Sequence, residues 1–81
     1  MLNRQKKTRL IVTFASVTEA MQMEETCKKA NINGRLIPTP KELSGGCGLA
    51  WSCAPEEEAP VMALLNSNEI HFTQVSLLEL F

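Results

Sequence analysis

One cysteine of this chain lies between glycines, in the run Ser44-Gly45-Gly46-Cys47-Gly48. Glycine lets the backbone adopt positive φ and lets other molecules approach closely. Consecutive backbone N–H groups can also form a concavity that favours an anion such as a thiolate. Cys47 is therefore the candidate for nucleophilic sulfur chemistry. The alternative is a tight glycine turn in which cysteine is merely the small residue that fits.

Two cations near this cysteine in sequence, Arg35 and Lys41, are candidates for stabilising its thiolate. Positive charge beside a thiol favours the thiolate, which is the nucleophilic form. A general base is not evident, because the single histidine, His71, falls on the last predicted strand, where a structural role is expected. The residues thus suggest a thiol site without naming its reaction.

The two other cysteines are predicted to be core residues. Cys27 lies on the apolar stripe of the first predicted helix, and Cys53 shares a strand face with Leu49 and Trp51. The chain has no Cys-x-x-Cys pair and no cysteine–histidine pair at zinc-ligand spacing, which disfavours a metal site. The glycine run leads into a strand instead of a helix, which disfavours a phosphate loop.

The 81 residues, 44% of them hydrophobic and 21% charged, predict one small domain over residues 9–81 after a polar tail at 1–8. A core of this size is only just sufficient, so association into a homodimer would help. Three cysteines, no secretory leader and no apolar run near ~20 residues predict a cytoplasmic protein without a membrane span.

Charge is distributed unevenly along the chain. All eight lysines and arginines lie at or before Lys41, whereas six of the nine glutamates follow it. The folded protein therefore has either a solvated mixed surface or a polarised docking surface. The basic start of the chain lacks interleaved aromatic residues, which disfavours nucleic-acid binding.

Hydrophobic periodicity and turn residues predict six elements in the order βαββαβ. The first helix should begin after a capping box of Ser16 and Glu19, and Pro38 and Pro40 should place the second strand at a sheet edge. This order predicts an α+β, ferredoxin-like fold with a four-stranded, mostly antiparallel sheet and two helices on one face. The expected strands are 9–14, 34–37, 48–53 and 70–77, and the expected apolar stripe of the first helix is Ala20, Met23, Cys27 and Ala30.

Several short stretches together resemble the selenium/sulfur carrier-like family of short bacterial proteins. They are Thr13-Phe14, Glu24, the run Leu36-Ile37-Pro38-Thr39-Pro40 and the run Cys47-Gly48-Leu49-Ala50. The most specific part is the Pro-Thr-Pro turn followed closely by Cys-Gly-Leu-Ala. The resemblance covers roughly residues 9–75.

The resemblance implies a carrier, not a stand-alone enzyme, that holds sulfur or selenium on Cys47 as a persulfide or selenenylsulfide. It implies a cysteine desulfurase-like donor protein, an acceptor protein and no cofactor. Two alternatives stay open: a non-catalytic interaction or small-ligand-sensing module, and a thiol redox sensor. The residues expected to support Cys47 or to contribute to docking are Gly45, Gly46, Gly48, Pro38, Thr39, Pro40, Lys41 and Arg35.

Overall fold

A computed structural model describes residues 7–43 and 47–80 of the chain. Its elements follow the predicted order and confirm the ferredoxin-like α+β fold. They are β1 (Lys7–Thr13), α1 (Val17–Lys29), β2 (Gly34–Pro38), β3 (Leu49–Cys53), α2 (Glu58–Ser67) and β4 (Gln74–Leu80), with a short 3₁₀ turn at Pro55–Glu57 before α2.

The four strands form one sheet in the order β2-β3-β1-β4, and all neighbouring strands are antiparallel. The strand richest in β-branched residues, β1, is central, where both of its sides are hydrogen bonded. β2 lies at an edge, as Pro38 at its end predicts, because proline cannot donate a ladder hydrogen bond. The sheet thus brings the end of β1 and the start of β3 together.

The main core lies between the sheet and the two helices. α1 contributes Ala20, Met23 and Cys27 to it, and all three are fully buried. The fourth predicted stripe residue, Ala30, is exposed. It is the C-cap residue of α1, so it lies beyond the last turn that packs on the sheet. The remaining buried members of this cluster are Leu10, Val12, Phe14, Trp51, Cys53, Val61, Leu64, Leu65 and Ile70.

Both helices end in the same hydrogen-bonded turn. After α1, Ile32 N–H donates to the Cys27 carbonyl at 2.9 Å, and Asn31 between them has φ 59°. After α2, Ile70 N–H donates to the Leu65 carbonyl at 3.0 Å, and Glu69 has φ 52°. A residue with positive φ at the helix end allows the next backbone N–H to donate to a carbonyl of the last helical turn. This hydrogen bond satisfies that carbonyl and ends the helix.

The last strand begins at Gln74, four residues later than predicted. The prediction from Ile70 is wrong because Ile70 belongs to the turn that ends α2, where its side chain is buried in the core. Pairing with β1 then runs from Gln74 opposite Thr13 to Leu80 opposite Lys7. The helix end therefore determines where the strand starts.

The opposite face of the sheet is partly covered as well. Leu49, Trp51 and Cys53 face the helices as predicted, but Ala50 and Ser52 on the other face are also buried. The cover comes from a smaller apolar cluster and from long side chains of neighbouring strands. That cluster contains Ile11, Leu43 and Ala50, with Ile37, Leu78 and Leu80 packed against it.

Gly34 lets the Trp51 indole pack tightly against the edge strand. A Cβ atom at position 34 would lie 2.3 Å from Cζ2 of Trp51 and 2.8 Å from the Ser52 carbonyl oxygen. The Trp51 ring is buried and the β3 backbone is paired with strands on both sides, so Gly34→Ala should lower the free energy of unfolding by about 3 kcal/mol, at the upper end of overpacking costs. Urea denaturation measures this change, and a loss below about 1 kcal/mol would contradict the close packing.

Candidate functional site

Cys47 is held at the end of the sheet where β1 stops and β3 begins. Its backbone N–H donates to the Phe14 carbonyl at 3.0 Å, just after β1. The next carbonyl, that of Gly48, accepts from Thr39 N–H at 2.9 Å, just after β2. Two long-range backbone hydrogen bonds therefore fix the thiol-bearing segment to two other segments of the chain.

The Cys47 side chain is partly exposed and packs against the edge of the helix-side core. Its thiol donates to the Leu49 carbonyl at 3.6 Å. This hydrogen bond needs the S–H proton, so it is lost when the sulfur becomes a thiolate or forms a covalent bond to another atom. The hydrogen bond to Leu49 therefore holds only the neutral, unmodified thiol.

Gly48 gives the backbone the turn that Cys47 requires. Its φ is 93°, a value that side-chain-bearing residues rarely adopt, and a Cβ atom there would meet nothing within 4 Å. The need for glycine is thus conformational and not steric. A supporting role of Gly48 for Cys47 stays a prediction.

The two other cysteines are buried in the core, as predicted. Desolvation by burial, with smaller contributions from Cys53 and Glu57, raises the pKa of Cys27 to about 11. Desolvation by burial also raises the pKa of Cys53. Both sulfurs are thus kept as neutral thiols away from solvent.

The Pro-Thr-Pro segment lies beside the cysteine segment. Pro38 ends β2, Thr39 donates to Gly48, and the Pro40 carbonyl accepts from Leu43 N–H at 3.0 Å in a turn. The Pro-Thr-Pro segment and Cys47, which a short loop separates in the sequence, therefore lie next to each other in the fold. The predicted supporting residues Gly45 and Gly46 fall outside the residues that the structure describes.

Arg35 and Lys41, the two cations predicted to stabilise the Cys47 thiolate, lie in different parts of the structure. Arg35 pairs with Ser52 across β2 and β3, so it lies on the sheet face opposite the helices, whereas Cys47 packs on the helix side. Lys41 is exposed in the turn after Pro40. Stabilisation of a Cys47 thiolate by either residue stays a prediction.

His71 is exposed in the segment between α2 and β4, not on a strand as predicted. Across residues 7–43 and 47–80, no group of three or more His, Cys, Asp or Glu side chains is arranged to hold a metal ion. None of the helices in that part of the chain has the length and apolar character needed to cross a bilayer.

Sequence reasoning did not identify Phe14 as a partner of the site. Its contribution is a backbone carbonyl, and no side-chain pattern indicates which carbonyl a distant N–H will meet. The signal available was indirect: β1 is the strand richest in β-branched residues, which favours a central position, and the end of a central strand adjoins the start of a neighbouring antiparallel strand.

A family model described as "Putative Se/S carrier protein-like" matches residues 9–76 of the chain. The match includes most of β1, the Pro-Thr-Pro segment, Cys47 and the first three residues of β4. No curated protein and no solved structure showed significant similarity to the chain.

Proposed function

The chain belongs to the Se/S carrier protein-like family, and on that premise we propose that it carries sulfur or selenium on Cys47 and passes the atom to an acceptor protein. The observation that supports this most directly is the difference in burial among its cysteines. Cys47 alone is partly exposed, while Cys27 and Cys53 are sealed in the core. A carrier of this kind needs one accessible thiol.

The chemistry required is thiol exchange at a sulfane atom. The Cys47 thiolate attacks the terminal sulfur of a donor persulfide, so a bond forms between Cys47 Sγ and that sulfur while the donor's S–S bond breaks. The donor leaves as a thiolate, and Cys47 becomes a persulfide. Selenium bound to a donor cysteine transfers by the same exchange and gives a selenenylsulfide. Neither transfer consumes an outside oxidant or reductant.

Delivery reverses these roles. A nucleophile of the acceptor attacks the terminal chalcogen, and Cys47 leaves as a thiolate. Because Cys47 leaves as a thiolate and the acceptor supplies the nucleophile, the chain needs no cofactor or base of its own for this step. The donor we propose is a cysteine desulfurase-like protein, and the acceptor is an enzyme of sulfur or selenium metabolism.

Apolar side chains near the cysteine-bearing end of the sheet suit docking of such partners. Val17, in the first turn of α1, is 44% exposed, and Phe72, just before β4, is 37% exposed. Thr73 N–H donates to the Thr13 carbonyl at 2.7 Å, which places the Phe72 segment at the same end as Cys47. We propose that these two side chains contribute to the docking surface.

Peptide mapping of the loaded wild-type protein tests the proposal. After incubation with a cysteine desulfurase and cysteine, we expect the mass of one added sulfur atom on the peptide that contains Cys47. The Cys27 and Cys53 peptides serve as internal controls and should stay unmodified. Added sulfur on all three peptides, or on none, would reject Cys47 as the carrier residue.

A further inference from the structure

The sheet face opposite the helices bears a groove that the chalcogen chemistry does not use. It has a volume of about 710 Å³, within the range of sites that bind small molecules. It runs from the paired residues Lys7 of β1 and Leu80 of β4 to the Pro-Thr-Pro segment, and Ser52 of β3 also lines it. Cys47 packs on the other side of the sheet.

Two arginines flank Ser52 across three adjacent strands. Arg35 of β2 pairs directly with Ser52, and Arg9 of β1 donates from Nε to Ser52 Oγ at 3.1 Å. Ser52 is only 3% exposed, so this hydrogen bond fixes the stem of the Arg9 guanidinium. Arginine has five N–H donors in a planar fork, and the bond to Ser52 uses one of them. The others suit a planar or tetrahedral oxyanion.

The charge of the groove is positive. Lys7, Arg9 and Arg35 line it, and Glu42 is the one acid among the described residues that do so, which leaves a net charge of +2 from three positive and one negative group. Positive charges gathered on a partly dry surface attract anions. An anionic occupant therefore fits this face better than a neutral or cationic one.

The rest of the groove is apolar. Ile37 and Leu80 line it beside the cations, together with the rings of Pro38 and Pro40. A site with an apolar wall and a few polar groups that fix orientation is typical of pockets for small organic ligands. The arrangement therefore favours a ligand with an anionic head and a short apolar body.

We propose that this groove binds a small organic anion, with its carboxylate or phosphate head on Arg9 and Arg35 and its apolar part against Ile37 and Leu80. The inference goes beyond the carrier role and does not depend on it, because the groove and Cys47 lie on opposite faces of the sheet. Binding should therefore be the same in Cys47→Ser as in the wild type.

Backbone amide NMR shifts during titration test the proposal. The probes are hexyl phosphate, hexanoate, inorganic phosphate and hexanol. The first two compare a phosphate head with a carboxylate head on the same apolar tail, and the last two present the phosphate head alone and the apolar tail without a charge. Saturable shifts at Arg9, Arg35 and Ser52 are expected with at least one of the two amphipathic anions at millimolar concentration. Inorganic phosphate and hexanol should bind more weakly than that anion.

Two variants that each remove one positive charge provide the matched comparison. Arg35→Gln should weaken binding of the amphipathic anion about tenfold or more, because a charge-assisted hydrogen bond is lost. Lys29→Gln removes the same charge from the exposed end of α1 and should leave binding unchanged. Equal weakening in both variants would overturn the proposal, since it would indicate attraction by net charge alone.

Other results also overturn it. Absence of saturable shifts with both amphipathic anions would show that the groove is not an anion site. Shifts of the same amides with protein concentration alone, without ligand, would assign this face to a second copy of the chain.

Discussion

Cys47→Ser should abolish sulfur loading and every transfer that depends on it. Serine is close in size to cysteine, and its hydroxyl can donate to the Leu49 carbonyl as the thiol does. The backbone hydrogen bonds to Phe14 and Thr39 do not involve the side chain. The variant should therefore fold normally, so loss of loading would report on the sulfur atom itself. Mass spectrometry after incubation with the desulfurase measures the loss.

Cys27→Ala and Cys53→Ala are the matched controls. Each removes a sulfur atom from the core, where cysteine behaves as a small hydrophobic residue, so a modest loss of stability is the expected effect. Loading of Cys47 should persist in both. A Cys47→Ser protein that still acquires one sulfur per chain would refute the proposed carrier residue.

Alkylation of the native protein should modify Cys47 at least about a thousandfold faster than Cys27, because two effects act together. With its pKa raised to about 11, Cys27 has about a hundredfold less thiolate near neutral pH than a thiol of pKa 9.0. Its side chain is also fully buried, so a reagent reaches it only when the fold opens locally. Timed quenching with iodoacetamide, followed by peptide mapping, gives the rate for each cysteine.

The same reaction in concentrated urea is the control. Without the fold, the three thiols should react at similar rates, so the native difference can be assigned to burial and desolvation. Slow native labelling of Cys47, comparable to that of Cys27, would mean that the carrier thiol is not reachable and would remove the basis of the proposed function.

The fold was predictable because its local signals agree with one another. Ser16 does cap α1, accepting from Glu19 N–H at 3.3 Å, and the prolines after Leu36-Ile37 do mark an edge strand. The start of β4 was not predictable in the same way, because the turn that follows α2 contains no glycine. Glycine usually supplies the left-handed residue that ends a helix, and here Glu69 does so. Without a glycine to mark the turn, the apolar Ile70 that follows resembles the first residue of a strand.

The site was predictable in its central residue and less so in its surroundings. Glycine neighbours distinguish Cys47 from the two core thiols, and the structure does leave Cys47 partly exposed while it buries the others. Alternation along β2 places Arg35 on the sheet face opposite the helices, a placement that its nearness to Cys47 in sequence does not indicate. The pairing of Arg9 with Ser52 joins residues 43 positions apart, and such a contact depends on strand register, which a single sequence does not fix.

If Cys47 carries a chalcogen as proposed, the burial of Cys27 and Cys53 would help the protein to retain it. A persulfide beside a second free thiol can discharge spontaneously, because that thiol attacks the inner sulfur, closes a disulfide and releases hydrogen sulfide. Both remaining thiols of this chain are enclosed in the core as neutral groups, so neither is available for this side reaction. A chalcogen on Cys47 would thus be removed only by another molecule, and the acceptor protein would determine when it is released.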